Sequence, residues 1–140
     1  MILLDTDHLS ILLDERDARH PPFRARLHAA GDFLAIPIVG IEEQLRGWLA
    51  KLHRVYDPQR QIVPYLRLKR VFEFLREWPI AEWNEPAADH FSHLRRLRVR
   101  IGTQDLKIAC IALASDALLL SANLRDFEQV PGLRVEDWLR

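Results

Sequence analysis

The chain begins with Met1-Ile2-Leu3-Leu4-Asp5, an unbroken apolar run that ends directly in a carboxylate. Far along the chain, Asp105 opens a second nearly all-apolar stretch, residues 106–114. Because an isolated buried carboxylate costs several kcal/mol, each needs a cation, hydrogen-bond donors or a raised pKa. If the two carboxylates meet, a bound metal ion is the simplest compensation, and carboxylate-held metals suit phosphate chemistry.

The composition indicates one compact domain, residues 1–140, with an ample core. Apolar residues make up 49% of the chain, and 20 basic residues balance 20 acidic ones, so no overall charge attracts nucleic acid or a membrane. The single cysteine, Cys110, argues against a disulfide scaffold or a cysteine-ligated metal and fits a reducing cytosol. Because the sequence shows no signal peptide and no bilayer-length apolar run, we expect a cytoplasmic protein without membrane contacts.

Short apolar segments alternate with helical patterns along the chain. The predicted strands are residues 2–4, 33–36, 79–83, 117–121 and 130–135, and the predicted helices are residues 9–13, 39–53, 58–78, 86–98 and one from 103 onward. Pro21 and Pro22 precede an amphipathic segment that runs to Ala30. Residues 14–20 are predicted to be a loop, and Pro64 is expected to kink or delay its helix. The alternation predicts an α/β fold with a mostly parallel sheet. Ligands bind beyond the carboxyl ends of such strands, where Asp5, Ser121 and Asn123 lie.

The two carboxylates also have a simpler interpretation as helix caps. Thr6 or Asp7 is available to cap the helix after the first strand, which weakens that interpretation for Asp5. Asp105 would gain only about 0.3–1 kcal/mol from the dipole of its helix. Two independent caps have no reason to meet at one edge of the sheet, so a shared site explains the pair better.

A third acidic candidate comes from the helix over residues 39–53. Glu42 has Arg46 four residues later, which predicts a surface ion pair. Glu43 has Gly47 at the same spacing, and a costly helical glycine often marks a close approach by another backbone. We therefore prefer Glu43 to Glu42 as a site residue.

Four segments stand out in order along the chain: residues 3–10 (LLDTDHLS), residues 36–47 with IPIV and EQLRG, residues 101–109 (IGTQDLKIA) and residues 120–138 with LSANLRDF, VPGL and EDW. Together they resemble PIN-domain nucleases. The last segment is similar to the endings of bacterial VapC-type toxins. One such motif alone is weak evidence for a family, but here four of them follow one another in the family's order and span the whole chain.

The resemblance implies a three-layer PIN-like fold with four to five strands flanked by helices. It also implies an endoribonuclease that depends on Mg²⁺ or Mn²⁺ and leaves a 5′-phosphate and a 3′-hydroxyl. Such proteins are usually the toxins of toxin–antitoxin pairs, with a small antitoxin as partner, and they often form homodimers. Asp5, Glu43 and Asp105 carry over as the acidic triad. We expect Asp5 and Asp105 to bind the metal directly, with Glu43 bound through water or orienting the attacking water.

Other polar residues near these motifs are candidates for supporting parts. Asn123 stands where many family members have a fourth acid, and its lack of charge disfavours a second metal ion. Asp7, Ser121 and Asn123 are expected to support the ligands, whereas Asp126 is expected to be an ordinary turn residue.

Basic and aromatic residues supply candidate RNA contacts. The candidate phosphate contacts are Arg46, Arg95, Arg96, Arg98 and Arg100, and a second basic cluster is Arg67, Lys69 and Arg70. Basic residues late in a helix also complement its dipole, so solubility is the competing explanation. Trp48, Trp78, Trp83 and Trp138 could stack on bases, although core or partner packing is the commoner role.

Two alternatives to a nuclease remain open at this point. A haloacid-dehalogenase-like phosphatase would use Asp5 as its nucleophile, because Asp5-Thr6-Asp7 matches Asp-x-Asp, but Leu9 stands where that pattern has Thr or Val. A non-catalytic α/β domain that docks another protein would use the same carboxylates only as helix caps.

Overall fold

The computed structural model describes every residue from Met1 to Arg140. Five strands form one sheet, and seven α-helices flank it. In chain order the elements are β1 (Ile2–Leu4), α1 (Thr6–Leu13), α2 (His20–Ala30), β2 (Leu34–Pro37), α3 (Ile38–Arg54), a 3₁₀ turn (Pro58–Gln61), α4 (Ile62–Leu75), β3 (Ile80–Ala81), α5 (Glu85–Arg96), α6 (Thr103–Ala114), β4 (Leu118–Leu120), α7 (Leu124–Phe127) and β5 (Arg134–Glu136).

The sheet has the strand order β3-β2-β1-β4-β5, and every neighbouring pair is parallel. This arrangement confirms the predicted parallel sheet of four to five strands. Since all strands run the same way, the residues that follow β1, β2, β3 and β4 emerge at one edge, which we call the carboxyl edge. Asp5, Ile38 and Ser121 all lie there, each directly after its strand.

Both faces of the sheet are covered by helices. Leu3 packs in a buried cluster with Leu94 of α5 and Ile108 of α6, whereas Leu4 packs in a second cluster with Leu9 of α1 and Phe23 of α2. Because successive side chains of a strand point to opposite faces, a run of consecutive leucines supplies both clusters. The predicted three-layer α/β fold is confirmed.

Several boundaries differ from the sequence-based expectations. β2 starts at Leu34, and Phe33, which was expected to be the first buried residue of this strand, is 56% exposed. β5 occupies residues 134–136 instead of 130–135. α2 begins at His20, inside the predicted loop, with two prolines in its first turn where an N–H is not needed. α4 ends at Leu75 rather than near Trp78, and the four-residue α7 was not predicted because it is too short to show periodicity.

The proline near the start of α4 behaves as expected. Asp57 accepts a hydrogen bond from the Gln59 N–H and caps the 3₁₀ turn that Pro58 begins. α4 starts only at Ile62, so Pro64 lies in its first turn and no interior hydrogen bond is lost. Across the protein, no helix is at once long and apolar enough to traverse a bilayer.

Candidate metal and active site

Asp5 has two structural tasks. Its Oδ1 accepts a 2.7 Å hydrogen bond from the Thr6 N–H at the start of α1, and its Oδ2 accepts a 2.7 Å hydrogen bond from the Ser121 hydroxyl. The expectation that Thr6 or Asp7 caps this helix is therefore wrong, because α1 begins immediately after the strand and leaves Asp5 as the N-cap. Capping and site formation are not alternatives, since each uses a different oxygen of one carboxylate.

The Asp5 carboxylate is buried without a compensating cation. Only 5% of the residue is exposed, and burial raises its pKa to about 6, with a hydrogen bond from Ser121 opposing the rise and the charges of Asp7 and Asp105 adding to it. None of the chain's ion pairs includes Asp5, Glu43 or Asp105. The ionised form of Asp5 is therefore disfavoured unless a cation binds nearby.

Asp105 lies in the first turn of α6 and belongs to the same negative cluster. Burial raises its pKa, and the charge of Glu43 is the next largest cause, followed by a lowering hydrogen bond from Asn123. The Asn123 Nδ2 donates this bond to Oδ2 of Asp105 over 3.2 Å. The charge of Asp105 thus contributes to the raised pKa of Asp5, and the charge of Glu43 to that of Asp105, although the three carboxylates are far apart in sequence.

α3 separates the two neighbouring glutamates as expected. Glu43 accepts a hydrogen bond from the Thr6 hydroxyl at the cluster. Glu42 instead pairs with Arg46 at 2.7 Å and accepts a 2.8 Å hydrogen bond from Gln104. The prediction that another backbone approaches Gly47 closely is wrong, because a Cβ at this position would have no neighbouring atom within 4 Å.

A hydrogen-bonded chain behind Asp5 holds the cluster in place. The fully buried Ser121 lies between Asp5 and Asp7, and Asp7 accepts a 2.8 Å bond from the Ala122 N–H. Burial alone would raise the pKa of Asp7, but hydrogen bonds from His8 and Ala122 outweigh it and lower the pKa. Asp7 therefore stays ionised and braces the loop after β4.

His8 anchors the far end of this chain and was not predicted from the sequence. Its ring is fully buried, and its Nε2 accepts a 3.1 Å hydrogen bond from the Trp138 N–H. The proton must then be on Nδ1, which lies 2.6 Å from Oδ1 of Asp7. A histidine inside an apolar helix was the available signal, because a fully buried polar ring requires partners.

Asp126 also belongs to the cluster, so its interpretation as an ordinary turn residue is wrong. The Asn123 Nδ2 donates to Oδ2 of Asp126 over 3.1 Å while it contacts Asp105. The unpredicted helix α7 is the reason, since its turn brings Asp126, three residues after Asn123, back to the Asn123 side chain. Negative charge on Asp126 contributes to the raised pKa of Asp105.

The two basic clusters differ in their surroundings. The basic cluster on α4, which we call the α4 cluster, consists of Arg67, Lys69 and Arg70, and all three side chains form ion pairs. Arg67 lies 3.8 Å from Asp14, Arg70 lies 3.0 Å from Glu15, and Lys69 pairs with Glu73. The cluster before α6 is exposed and free of ion pairs; it consists of Arg95, Arg96, Arg98 and Arg100.

The donor set fits a hydrated divalent cation better than a closed metal site. No three His, Cys, Asp or Glu side chains are close enough together to hold one ion directly. Mg²⁺ is usually held by one or two carboxylates and retains several waters, so it does not need three direct ligands. Zinc prefers His or Cys ligands, and both ring nitrogens of His8, the histidine nearest the cluster, are already engaged.

Comparison with known proteins identifies the family of this arrangement. The model of the PIN domain matches residues 2–133. A tRNA(fMet)-specific endonuclease VapC of Salmonella typhimurium is 31% identical over 88 residues, which cover 60% of this chain and 67% of the relative. Ribonuclease VapC2 of Haemophilus influenzae is 30% identical over 88 residues with the same two coverages.

Solved structures share the fold over nearly the whole chain. The VapBC2 complex of Rickettsia felis, bound to a DNA fragment from its promoter, has a matching chain with a TM-score of 0.76 at 22% identity, with 99% of each chain covered. A chain of VapBC-1 from nontypeable Haemophilus influenzae matches with a TM-score of 0.75 at 22% identity, with 100% of both chains covered.

Replacing Asp5 by Asn should stabilise the metal-free protein at about pH 7. Folding raises the pKa of Asp5 from 3.8 to about 6, so the folded state holds this proton more tightly. The stability advantage of the protonated acid is complete below the unfolded pKa and is lost as the pH rises through the folded one. The gain from Asp5→Asn is therefore on the order of 3 kcal/mol near neutrality and shrinks towards acidic pH. Chemical denaturation across this range measures it.

The exposed Asp89→Asn serves as the matched control and should change stability little at any pH. If Asp5→Asn were no more stable than the wild type at neutral pH, the claim that the buried Asp5 carboxylate lacks a compensating positive charge would be contradicted.

Proposed function

The chain belongs to the PIN domain family, and from that premise we propose that residues 1–140 form a single metal-dependent endoribonuclease domain. The observation that carries the proposal is the buried Asp5 carboxylate, which shares the carboxyl edge with Glu43 and Asp105 and pairs with no basic residue. The endonuclease and ribonuclease names of the relatives support RNA as the substrate class. An RNA substrate also favours a cytoplasmic location.

Asp5 and Asp105 are the proposed direct ligands of a Mg²⁺ or Mn²⁺ ion, and Glu43 reaches it through water. Such an ion, when bound, lowers the pKa of a water and offsets negative charge on the phosphoryl oxygens during in-line displacement. Glu43, tethered by the Thr6 hydroxyl, orients the attacking water as a hydrogen-bond acceptor. Cleavage would leave a 5′-phosphate and a 3′-hydroxyl.

Asp7, Ser121 and Asn123 act by fixing the carboxylates. Ser121 locks the Oδ2 side of Asp5, and Asn123 spans Asp105 and Asp126. Because the hydroxyl and amide donors bind the ionised forms of these acids, they keep the acids ready for a cation. One ion is the proposed occupant, since Asn123 adds no charge and the fourth carboxylate of the cluster, Asp126, already accepts a hydrogen bond from the Asn123 amide.

The arginines before α6 are the proposed RNA contacts. Arg98 and Arg100 lie in the segment that leads into the helix carrying Asp105, and Arg95 and Arg96 end α5 directly before it. Their exposure and freedom from ion pairs leave them available for phosphates, unlike the α4 cluster. Arg46 is the weakest of the predicted contacts, because Glu42 already pairs with it.

The proposed biological role is the toxin of a toxin–antitoxin pair. The structural neighbours are VapBC complexes, and this chain presents apolar surface for a partner. A groove of about 590 Å³ runs along α3 between Ile38, Ile41, Leu45 and Leu49. We propose that the apolar face of a small antitoxin occupies it. The homodimer implied by the resemblance remains a prediction, which sedimentation of the antitoxin-free protein can test.

The competing functions have less support. Nothing beyond the Asp5-Thr6-Asp7 spacing favours a phosphatase, and the PIN match leaves that alternative without an observation of its own. A purely protein-docking domain would leave the buried charge of Asp5 unexplained. It would be favoured if pure, partner-free protein lacked nuclease activity in both Mg²⁺ and Mn²⁺.

Removal of either proposed ligand should abolish RNA cleavage without unfolding the protein. Asp5→Asn and Asp105→Asn should show no detectable activity, because neither retains the charge that holds the ion. Glu43→Gln should lower kcat by at least about a hundredfold, whereas Glu42→Gln should lower it less than about threefold, since Glu42 binds Arg46 and Gln104 outside the proposed ligand set. Cleavage of labelled RNA, with circular dichroism as the folding control, measures both.

Excess chelator should stop cleavage by the wild type. Equal losses from the two glutamate changes would refute the choice of Glu43, and cleavage in chelator would refute the metal.

Neutralising the arginine cluster should weaken RNA binding in a salt-dependent way. We expect the double variant Arg98→Gln, Arg100→Gln to lower the slope of log Kd against log salt by about 0.7 for each phosphate of single-stranded RNA that is no longer neutralised. Arg67→Gln with Lys69→Gln is the matched control and should leave the slope unchanged, because those side chains are already paired. A slope that changes equally in both variants would exclude the assignment.

A charge in the α3 groove should release the nuclease from its antitoxin. Leu49→Glu, at a side chain 45% exposed, should raise the antitoxin concentration needed for half-inhibition at least about tenfold while the free enzyme stays active. The exposed Phe33→Glu lies outside the groove and should have no effect. If the antitoxin inhibited the Leu49→Glu variant as well as the wild type, its proposed position in the α3 groove would be refuted, and it would have to bind another surface.

A further inference from the structure

We infer that a small pocket beside the acidic cluster binds one unpaired base of the RNA substrate; this inference rests on the proposed nuclease function. The pocket, which we call the Trp83 pocket, has a volume of about 240 Å³. Its lining residues are Ile38, Val39, Glu42, Trp83 and Lys107.

The Trp83 pocket opens at the carboxyl edge of the sheet, on one flank of the carboxylates. Ile38 begins α3 directly after β2, and Trp83 follows the carboxyl end of the neighbouring strand β3. Lys107 and Asp105 both lie on α6, Glu42 and Glu43 both lie on α3, and the hydrogen bond from Gln104 to Glu42 joins the two helices beside the pocket. An RNA strand that crosses α3 and α6 at this edge would therefore pass both the carboxylates and the pocket.

Trp83 is a supported aromatic platform with an accessible surface. Its ring packs edge-to-face on Phe91, with ring centres 5.8 Å apart and planes at 78°. Phe91 in turn packs on the core, yet 37% of Trp83 remains exposed. Every base has a π face, so a positioned indole with an open side is suited to stack on one base of a single strand.

The free charge in the Trp83 pocket is positive. Lys107 forms no ion pair, and its ammonium lies over one face of the Trp83 ring, 5.9 Å from the ring centre. The carboxylate of Glu42 is already neutralised by Arg46 and hydrogen-bonded by Gln104. An aromatic face beside an unpaired ammonium matches the two parts of a nucleotide, its base and its phosphate.

The other three tryptophans lack this combination. Trp78 stacks on Phe74 at 5.0 Å and packs against the core. Trp138 lies beneath the guanidinium of Arg26 and donates a 2.6 Å hydrogen bond to Glu136. Trp48 also has a lysine over its ring, Lys51 at 4.4 Å, but it lies in the middle of α3, away from the carboxyl edge, and does not line the Trp83 pocket. Among the candidates for base stacking, the structure thus singles out Trp83.

Binding to matched ligands separates base contacts from phosphate contacts. The probes are a short single-stranded oligoribonucleotide and an oligomer of abasic ribose phosphates with equal charge, both titrated in chelator so that no cleavage occurs. Trp83→Leu should weaken binding of the base-bearing oligomer about tenfold and leave the abasic one unchanged. Trp83→Phe should keep most of the affinity because it still stacks. Lys107→Gln should weaken both oligomers, and Trp48→Leu, the matched control, neither.

Cleavage of a randomised single-stranded pool gives the second measurement. The wild type should show a base preference at one position near the cut, and Trp83→Leu should lose the preference at that position alone while its cleavage still requires metal. Equal weakening of the base-bearing and abasic oligomers, or the same loss from Trp48→Leu, would overturn the inference. So would an effect of Trp83→Leu on antitoxin binding with RNA binding unchanged, which would make the pocket a protein contact.

The two proposals fail in different ways. If the wild type cuts no RNA in Mg²⁺ or Mn²⁺, the nuclease function fails whatever the pocket binds. If it cuts RNA but affinity does not depend on bases through Trp83, only the pocket assignment fails.

Discussion

The arrangement of side chains at the carboxyl edge depends on one buried carboxylate, that of Asp5. It lies near other carboxylates, and no basic side chain of the protein neutralises it. Asp5 is 5% exposed and its pKa rises to about 6, chiefly because burial removes it from water. The fold tolerates this cost because the same carboxylate caps α1 and accepts the Ser121 hydroxyl. Neither contact supplies positive charge, so we propose that an ion from solution completes the site.

The parallel sheet explains why such distant residues converge. β1 and β4 are neighbours, so the residues after them, Asp5 and Ser121, emerge side by side. α6 then presents Asp105 to Asn123 in the loop after β4, and α3 presents Glu43 to Thr6. The chain from Trp138 through His8 and Asp7 to that loop braces the arrangement from behind. The proposed nuclease centre and its flanking base pocket thus draw on the same edge.

Much of this organisation could be predicted from sequence, because strands that are buried on both faces consist of unbroken apolar runs. Runs such as residues 1–4 predict strands covered on both faces, and a polar residue directly after such a run falls at the binding edge. The part played by Asp126 could not be predicted, since it depends on a helix too short to leave a periodic signal. His8, inside an apolar helix, could be expected to need hydrogen-bond partners, but not to find one as distant in sequence as Trp138. The preference for Glu43 over Glu42 had two grounds, and only one holds: Glu42 pairs with Arg46 as predicted, whereas nothing lies close to Gly47.

The most direct test is where a metal binds. Crystals of the antitoxin-free protein grown with Mn²⁺ should show one strong anomalous scattering peak between the carboxylates of Asp5 and Asp105, with Glu43 reaching it through an ordered water. Absence of Mn²⁺ from that position while Asp5 remains buried and ionised, or an ion bound only elsewhere on the protein, would contradict the proposed metal site.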